Sequence, residues 1–409
     1  MKKGNELKPH IGIFGRRNVG KSSFINAITM QDIAIVSSTP GTTTDPVKKS
    51  YEIFSIGPVV LIDTAGIDDE GELGHKRIEK TLQVIESIDL AILLVTNNEF
   101  GKYEMELIEK FNEYEIPYVI IFNKIDIYTP RKDFINLIKE QTGKDVIFFS
   151  CLKPENVKEI IKIISQNIPD SAYKKSSLLG DIIHNGDIIL LIVPIDIEAP
   201  EGRLILPQVQ VIRDILDNDA IAIVLKEKEV EYFLRHTKIK PKLAITDSQI
   251  FQKANAMIPH DVMLTSFSIV LARNKGPFEL YLKGTPKIDE LKDNDNVLIL
   301  ESCSHQISCE DIGRVKIPRW LEQYTGKKLN IDVVSSFNMI PKPIEKYSLV
   351  IQCGGCVITR RQLFNRLKPA IKANIPVTNY GLAISYLQGI FKRAIEPFVK
   401  ESNESFTYI

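Results

Sequence analysis

The stretch Gly15-Arg16-Arg17-Asn18-Val19-Gly20-Lys21-Ser22 constrains this chain more than any other. It fits the pattern Gly-x-x-x-x-Gly-Lys-Ser. It follows an apolar run, Ile11-Gly12-Ile13-Phe14, and opens a helical pattern, Ser23-Phe24-Ile25-Asn26-Ala27-Ile28. Strand, glycine-rich loop and helix in that order make a phosphate site. The glycines let backbone N–H groups wrap phosphates, Lys21 brings a point charge to the outer ones, and the Ser22 hydroxyl holds Mg²⁺.

Further segments supply the partners such a loop needs. Ser38-Thr39-Pro40-Gly41-Thr42-Thr43-Thr44-Asp45-Pro46 is polar and punctuated by Gly and Pro, hence a loop. Thr43 is expected to close it over the γ-phosphate and Mg²⁺. Val59-Val60-Leu61-Ile62 reads as a buried strand ending in Asp63-Thr64-Ala65-Gly66. Asp63 is placed to hold Mg²⁺ through water, and the Gly66 N–H to reach a γ-phosphate whose loss relaxes the loop. Val119-Ile120-Ile121-Phe122 is another strand, followed by Asn123-Lys124-Ile125-Asp126. The Asp126 carboxylate can accept a pair of N–H bonds that guanine offers and adenine does not, so it selects for guanine. Ile147-Phe148-Phe149-Ser150-Cys151-Leu152-Lys153 completes the pocket around the base, with Cys151 as a small loop residue. The expected GTP/GDP contacts are Gly15, Asn18, Val19, Gly20, Lys21, Ser22, Ser23, Asp63, Gly66, Asn123, Lys124, Asp126, Ser150, Cys151 and Leu152.

These motifs resemble those of the translation-factor-like GTPases, particularly the Era and MnmE branch. Alternating strands and helices fit a doubly wound α/β domain with its ligand at the strand C-termini. Ile67 stands where many relatives carry a water-positioning glutamine, and isoleucine cannot orient water. In the potassium-activated branch an asparagine at the position of Asn18 helps hold K⁺. The resemblance therefore implies slow hydrolysis accelerated by K⁺, with Lys21, Asn18, Thr43 and Gly66 as the catalytic set.

At 409 residues the chain exceeds one ordinary core, and roughly two to three domains are expected. The 52 basic and 52 acidic residues cancel, leaving no global field to draw nucleic acid or an anionic membrane. The N-terminus has no apolar run suited to a signal peptide, and the longest apolar run, Ile188 to Ile195, is too short to span a bilayer. A cytoplasmic protein with no membrane partner and no nucleic-acid partner is expected. Five cysteines, an odd number, argue against a disulfide framework.

The expected fold class is α/β in three domains: a P-loop GTPase fold over 1–170, then two further parallel-sheet modules over 178–270 and 275–409. The GTPase domain closes with a helical stretch, Glu155 to Ile164, and Lys174-Lys175-Ser176-Ser177 reads as a linker. In the middle module, strands at Ile188 to Ile195, Ala220 to Leu225, Leu243 to Thr246 and Val262 to Ser266 alternate with helical spacing at Leu206 to Asp217, Glu227 to His236 and Asp247 to Met257. No catalytic constellation clusters there, so an interaction or dimerisation role is assigned by elimination.

The last third carries cysteine chemistry. The strand Asn296-Val297-Leu298-Ile299-Leu300 ends at Glu301-Ser302-Cys303-Ser304-His305, and Ser348-Leu349-Val350-Ile351 ends at Gln352-Cys353-Gly354-Gly355-Cys356. Parallel strands put both C-termini on one sheet edge, so Cys303, Cys353 and Cys356 can converge across 50 residues of sequence. Val357 to Leu367 reads as a helix with Arg360 and Arg361 in its first turns. Three thiolates suit a cubane iron–sulfur cluster with one iron lacking a cysteine, and His305 is a candidate for that position. Structural zinc on three cysteines and a histidine, or a redox dithiol, also fits the spacing. Cys309 stands apart and is read as a non-ligand.

The combination resembles the HydF-type maturation GTPases of the FeFe hydrogenases over the whole chain. Further marks are Ile192-Val193-Pro194-Ile195-Asp196-Ile197-Glu198-Ala199-Pro200, Thr246-Asp247-Ser248-Gln249, and Asp311-Ile312-Gly313-Arg314-Val315-Lys316-Ile317-Pro318-Arg319-Trp320-Leu321. The family pattern is Cys-x-His, then His-Cys-x-x-Cys. Cys303, His305, Cys353 and Cys356 match, while Gln352 replaces the second histidine. The resemblance implies a 4Fe–4S cluster and a homodimer formed through the middle module. It also implies a carrier that receives a diiron precursor from radical-SAM maturases and delivers it to apo FeFe-hydrogenase, with GTP governing partner exchange. Competing readings are an Era- or MnmE-like GTPase of RNA modification or ribosome assembly with a zinc site, and a GTP-gated interaction protein whose cysteines are structural.

Overall fold

The computed structural model describes residues 8–29, 47–53, 56–64, 81–154, 156–169, 172, 177–194, 204–302, 311–335 and 338–399. Thr43, Gly66, Ile67, Cys303, His305 and Cys309 lie outside the described residues. The chain divides into two compact units, 1–175 and 176–409.

The first unit is a six-stranded sheet in the order β2-β3-β1-β4-β5-β6. Its strands are β1 (His10–Phe14), β2 (Val47–Ile53), β3 (Gly57–Asp63), β4 (Leu90–Val95), β5 (Tyr118–Phe122) and β6 (Val146–Phe148). All neighbours pair in parallel except β2, which runs antiparallel to β3 along the edge. The central strands are buried on both faces and therefore read as unbroken apolar runs. Alternate residues of β3 serve opposite faces. Val59 and Leu61 pack with Phe24, Ile25 and Ile28 of helix α1 (Lys21–Thr29) and with Ile160 and Ile164 of α5 (Val157–Asn167). Val60 and Ile62 pack with Ile85 of α2 (81–87), Phe111 of α3 (Lys102–Glu113) and Phe134 of α4 (Lys132–Thr142). The polar sequence of β2, Val-Lys-Lys-Ser-Tyr-Glu-Ile, gave no strand signal. Lysines suit an edge strand because they discourage pairing with another chain.

The second unit holds two four-stranded, all-parallel sheets. The first has the order β10-β9-β7-β8, from β7 (Ile188–Ile192), β8 (Ile221–Leu225), β9 (Leu243–Thr246) and β10 (Met263–Ser266). The second has the order β12-β11-β13-β14, from β11 (Asn296–Glu301), β12 (Asn330–Ser335), β13 (Tyr347–Gln352) and β14 (Val377–Asn379). Helices α6 (Leu206–Asp217), α7 (Val230–His236) and α8 (Phe251–Met257) fall within the three helical stretches expected of the middle module. They are followed by α9 (Phe267–Lys275), α10 (Phe278–Gly284), α11 (Ile317–Thr325), α12 (Arg360–Lys372), α13 (Tyr380–Leu387) and α14 (Phe391–Ile395). One core joins the two sheets: Leu190, Ile192 and Leu264 share it with Leu298, Leu300 and Val350.

Several boundaries differ from the sequence reading, two of them for an evident local reason. The strand expected through Ile195 stops at Ile192, short of Pro194, whose nitrogen has no hydrogen to donate. The helix expected over Val357 to Leu367 begins instead at Arg360 and runs to Lys372. Thr359 caps it: its hydroxyl accepts from Gln362 N at 3.2 Å, while Gln362 Oε1 accepts from Thr359 N at 2.9 Å. This Thr-x-x-Gln capping box was legible in the sequence.

Candidate functional site

The phosphate loop leaves β1 where the strand order reverses between β3 and β4, the usual ligand crevice of such sheets. Gly15 adopts φ +142°, and a Cβ there would stand 2.4 Å from Leu94 O. Gly20 adopts φ +94°, and a Cβ there would stand 2.5 Å from Asn123 Nδ2. Both positions exclude other residues, by conformation and by space. The Lys21 ammonium donates to Gly15 O and Arg16 O, each at 2.9 Å, so it lies across the loop mouth. Ser22 Oγ donates to Asp63 Oδ2 at 2.8 Å, bringing together the two groups expected to share Mg²⁺. Thr64 Oγ1 donates to Ile13 O at 2.6 Å and so ties the end of β3 to β1 beside Asp63. Burial raises the Asp63 carboxyl above the usual carboxylate range, against the Ser22 hydrogen bond and the charges of Lys21 and Lys49. A divalent cation at that pair would offset the desolvation.

The base side is built on β5 and β6. Asn123 is fully buried, and its Nδ2 donates to Val19 O at 2.8 Å, joining the base loop to the phosphate loop. Lys124, at φ +63°, donates from Nζ to Asn18 O at 2.6 Å. Asp126 is exposed and accepts from the buried Ser150 hydroxyl. Cys151 Sγ donates to Asn123 Oδ1 at 3.3 Å, and burial pushes its thiol up to about 11, so at neutral pH it is a protonated donor and not a nucleophile. Leu152 is exposed at the rim, Val19 is buried, and Ser23 sits in the first turn of α1. Asn18 is exposed at φ +59°.

Sequence reasoning missed one part of this loop. Arg16 donates from Nε to Glu104 Oε1 at 2.7 Å and from Nη2 to Oε2 at 3.0 Å. Glu104, buried in the first turn of α3, also accepts from Gly101 N at 2.8 Å. A bidentate pair of this kind fixes the direction of the loop backbone. No local spacing announces a partner 88 residues away.

In the second unit, Cys353 and Cys356 follow β13. The strand order reverses between β11 and β13, so the end of β11 and the Cys353 loop meet at a second crevice of the same kind. Cys353 N donates to Leu300 O at 2.9 Å. Ser302 N donates to Cys353 Sγ at 3.1 Å and Gln352 Nε2 at 3.5 Å, while Sγ donates to the Ser302 hydroxyl at 3.0 Å. The two N–H groups that face this sulfur would also serve it as a thiolate ligand. The buried Gln352 spends its amide nitrogen on Ser302 Oγ at 3.0 Å, so where the family pattern has histidine this chain has a donor to the sulfur's surroundings. Two buried polar atoms near Cys353, Gln352 Oε1 and the Tyr281 hydroxyl, have no hydrogen-bond partner among the described residues. Burial and the nearby Cys353 push the Tyr281 hydroxyl well up. Gly355, at φ +63°, leaves room for Leu363, whose Cδ1 would lie 2.8 Å from a Cβ.

The base of this loop is held from several directions. Glu301, at the end of β11, pairs with Arg314, whose Nη2 lies 2.9 Å from Oε2. Arg366 of α12 donates to Glu301 O, and to Val334 O at 2.6 Å. Asn379 Nδ2 donates to Gln352 O at 3.0 Å. Among the described residues no three His, Cys, Asp or Glu side chains group as a metal site. Cys353 and Cys356, both half-buried, are the two expected thiol ligands that fall within them.

Known proteins resemble the chain in segments. Residues 10–124 match the model described as 50S ribosome-binding GTPase. Residues 178–276 match the hydrogen maturase F dimerization domain, and residues 279–397 the hydrogen maturase F tetramerization domain. The chain therefore carries two domains of the self-association type. It is 34% identical over 161 residues to the tRNA modification GTPase MnmE of Caldicellulosiruptor saccharolyticus, covering 38% of this chain and 33% of that protein. It is 28% identical over 166 residues to GTPase Era of Clostridioides difficile, covering 39% and 56%. The chain thus spans about a third of the MnmE length and about half of the Era length. A crystal structure of an Aquifex aeolicus Era variant with GDP and aluminium fluoride aligns at 20% identity and TM-score 0.36, covering 53% of this chain and 92% of that one. No helix among the described residues is long and apolar enough to cross a membrane.

Proposed function

Since the chain belongs to the HydF-type hydrogenase maturation GTPases, we propose that it is a GTP-hydrolysing scaffold that holds a 4Fe–4S cluster and passes a diiron subcluster to apo FeFe-hydrogenase. The observation that carries this reading is the Cys353 loop. It stands at the strand-order reversal of its sheet, with the Ser302 N–H directed at its first sulfur, in a chain that also has a phosphate loop. Cys303, Cys353 and Cys356 are the proposed cluster ligands, with His305 as a candidate for the fourth position. When bound, the cluster supplies an iron whose fourth ligand can be exchanged.

In the first unit, Lys21 binds the outer phosphates, Ser22 and Asp63 hold Mg²⁺, and Asp126 reads the guanine edge. Thr43 and Gly66 respond to the γ-phosphate. Asn18 holds K⁺, which takes the part of the positive charge supplied elsewhere by an arginine finger. GTP governs the exchange of partners: radical-SAM maturases on one side and the apo-hydrogenase on the other. The protein works as a homodimer in the cytoplasm.

The test is metal analysis and visible absorption of protein purified without oxygen. A brown sample with iron, sulfide and a broad visible band is expected. A colourless sample with one tightly held zinc that iron–sulfur reconstitution cannot displace overturns the cluster reading in favour of an RNA-associated GTPase. Hydrolysis faster in K⁺ than in Na⁺ is expected of the same sample, and equal rates remove the role of Asn18.

A further inference from the structure

Lys275 ends α9, the last helix within the segment that matches the dimerization domain, yet its ammonium is spent on the other domain. The residue is 8% exposed. Its Nζ donates to Gly355 O at 2.8 Å and Ile358 O at 3.1 Å, with Cys356 O at 3.5 Å. All three carbonyls belong to the turn that starts in the Cys353–Cys356 loop and ends at the cap of α12. An ammonium removed from water is costly unless its protons find acceptors, and a lysine has three to place. An apolar side chain would fill the volume more cheaply, so the charge is retained for what it holds. It fixes the direction of three peptide planes in the thiol loop, including that of the left-handed Gly355. It also sets one positive charge behind a loop whose metal–thiolate centre would be anionic.

We propose that Lys275 is a positioning residue for the thiol loop, clamping it in metal-binding shape from the neighbouring domain. The proposal rests on the reading of that loop as a metal site, so its test needs one measurement that does not involve metal. Full-length apo-protein is prepared without oxygen as wild type and as Lys275→Met, which keeps length and apolar volume. Co²⁺ affinity is read from the thiolate-to-cobalt absorption band, and amide hydrogen exchange is followed over residues 354–358.

The Met variant is expected to bind Co²⁺ about ten- to a hundredfold more weakly, the range typical when a supporting contact behind a ligand is removed. Its amides at 354–358 should exchange about tenfold faster or more, since hydrogen bonds that hold the loop are gone. GTP affinity, a property of the other unit, should stay unchanged. Wild-type cobalt affinity in the variant overturns the proposal, with or without faster exchange. If wild type gives no cobalt band, the metal reading fails by itself, and exchange still decides the clamp: unchanged rates overturn it and faster rates support it. Should the Met variant not unfold cooperatively, Lys275→Gln replaces it, with an intermediate loss expected and wild-type behaviour again overturning the proposal.

Discussion

The chain builds two ligand loops on the same plan and supports them differently. Each leaves a parallel sheet where strand order reverses, and each has a glycine in the left-handed region with another side chain beside it. In the phosphate loop the lysine is local: Lys21 reaches Gly15 O and Arg16 O, six and five residues back. In the thiol loop the lysine is remote: Lys275 reaches Gly355 O and Ile358 O, 80 and 83 residues on. A loop that binds a polyanion through its own N–H groups can write its ligand-binding groups in eight consecutive residues, even though Glu104 and Asn123 also steady its backbone from afar. A loop that presents soft ligands must be held open by something else, because its own short sequence provides only the sulfurs and the room to turn.

The contrast can be broken at several points. The largest effect is expected from Lys21→Ala. Loss of a charged hydrogen-bonding partner to phosphate costs about 2–3 kcal/mol, so GTP affinity should fall by about a hundredfold. Calorimetry checks that number, and the same sample should take up iron as wild type does. If metal loading fell in step with GTP affinity, the two loops would not be separable.

Gly20→Ala asks how tightly the phosphate loop is wedged against the base loop. The new Cβ would stand 2.5 Å from Asn123 Nδ2 at φ +94°. Strain and overpacking of this kind cost about 1–3 kcal/mol, to be read as a lower urea midpoint for the first unit and weaker GDP binding. An unchanged midpoint would mean that Asn123 moves aside without penalty.

The smallest effect sharpens the comparison on the thiol side. Ser302→Ala removes the hydroxyl 3.0 Å from Cys353 Sγ and leaves the backbone N–H that also faces this sulfur. Loss of one such contact is worth about 1 kcal/mol, so Co²⁺ affinity should drop about three- to tenfold. That is less than expected of Lys275→Met, which withdraws a charge and its hydrogen bonds to the loop carbonyls. The reverse order would place the control of the loop at the sulfur and not behind it.

Much of the molecule was legible before any coordinates. The phosphate loop, the base loop and the strands that deliver them stand out because binding a nucleotide needs particular residues a few positions apart, and a buried parallel strand needs an apolar run. The same logic marked Cys353 and Cys356 and brought them to one sheet edge with the end of β11. It failed for β2, an edge strand whose alternation of Val47, Tyr51 and Ile53 is broken by Lys49. It also misplaced the start of α12, although Thr359 and Gln362 spelled the cap.

What the sequence by itself determined is the local chemistry: which loops bind phosphate, which residues read a base, which thiols stand three positions apart. The tertiary structure alone decided what stands behind those loops. Glu104 steadies Arg16, Asn123 locks against Val19, and Lys275 grips the Cys353–Cys356 turn. A buried charge or amide must find its partner wherever the fold supplies one. Crossovers within one sheet bring Glu104 to Arg16 and Asn123 to Val19, and the core shared by two sheets brings Lys275 to its turn, across some 80 to 104 residues at which spacing along the chain carries no information.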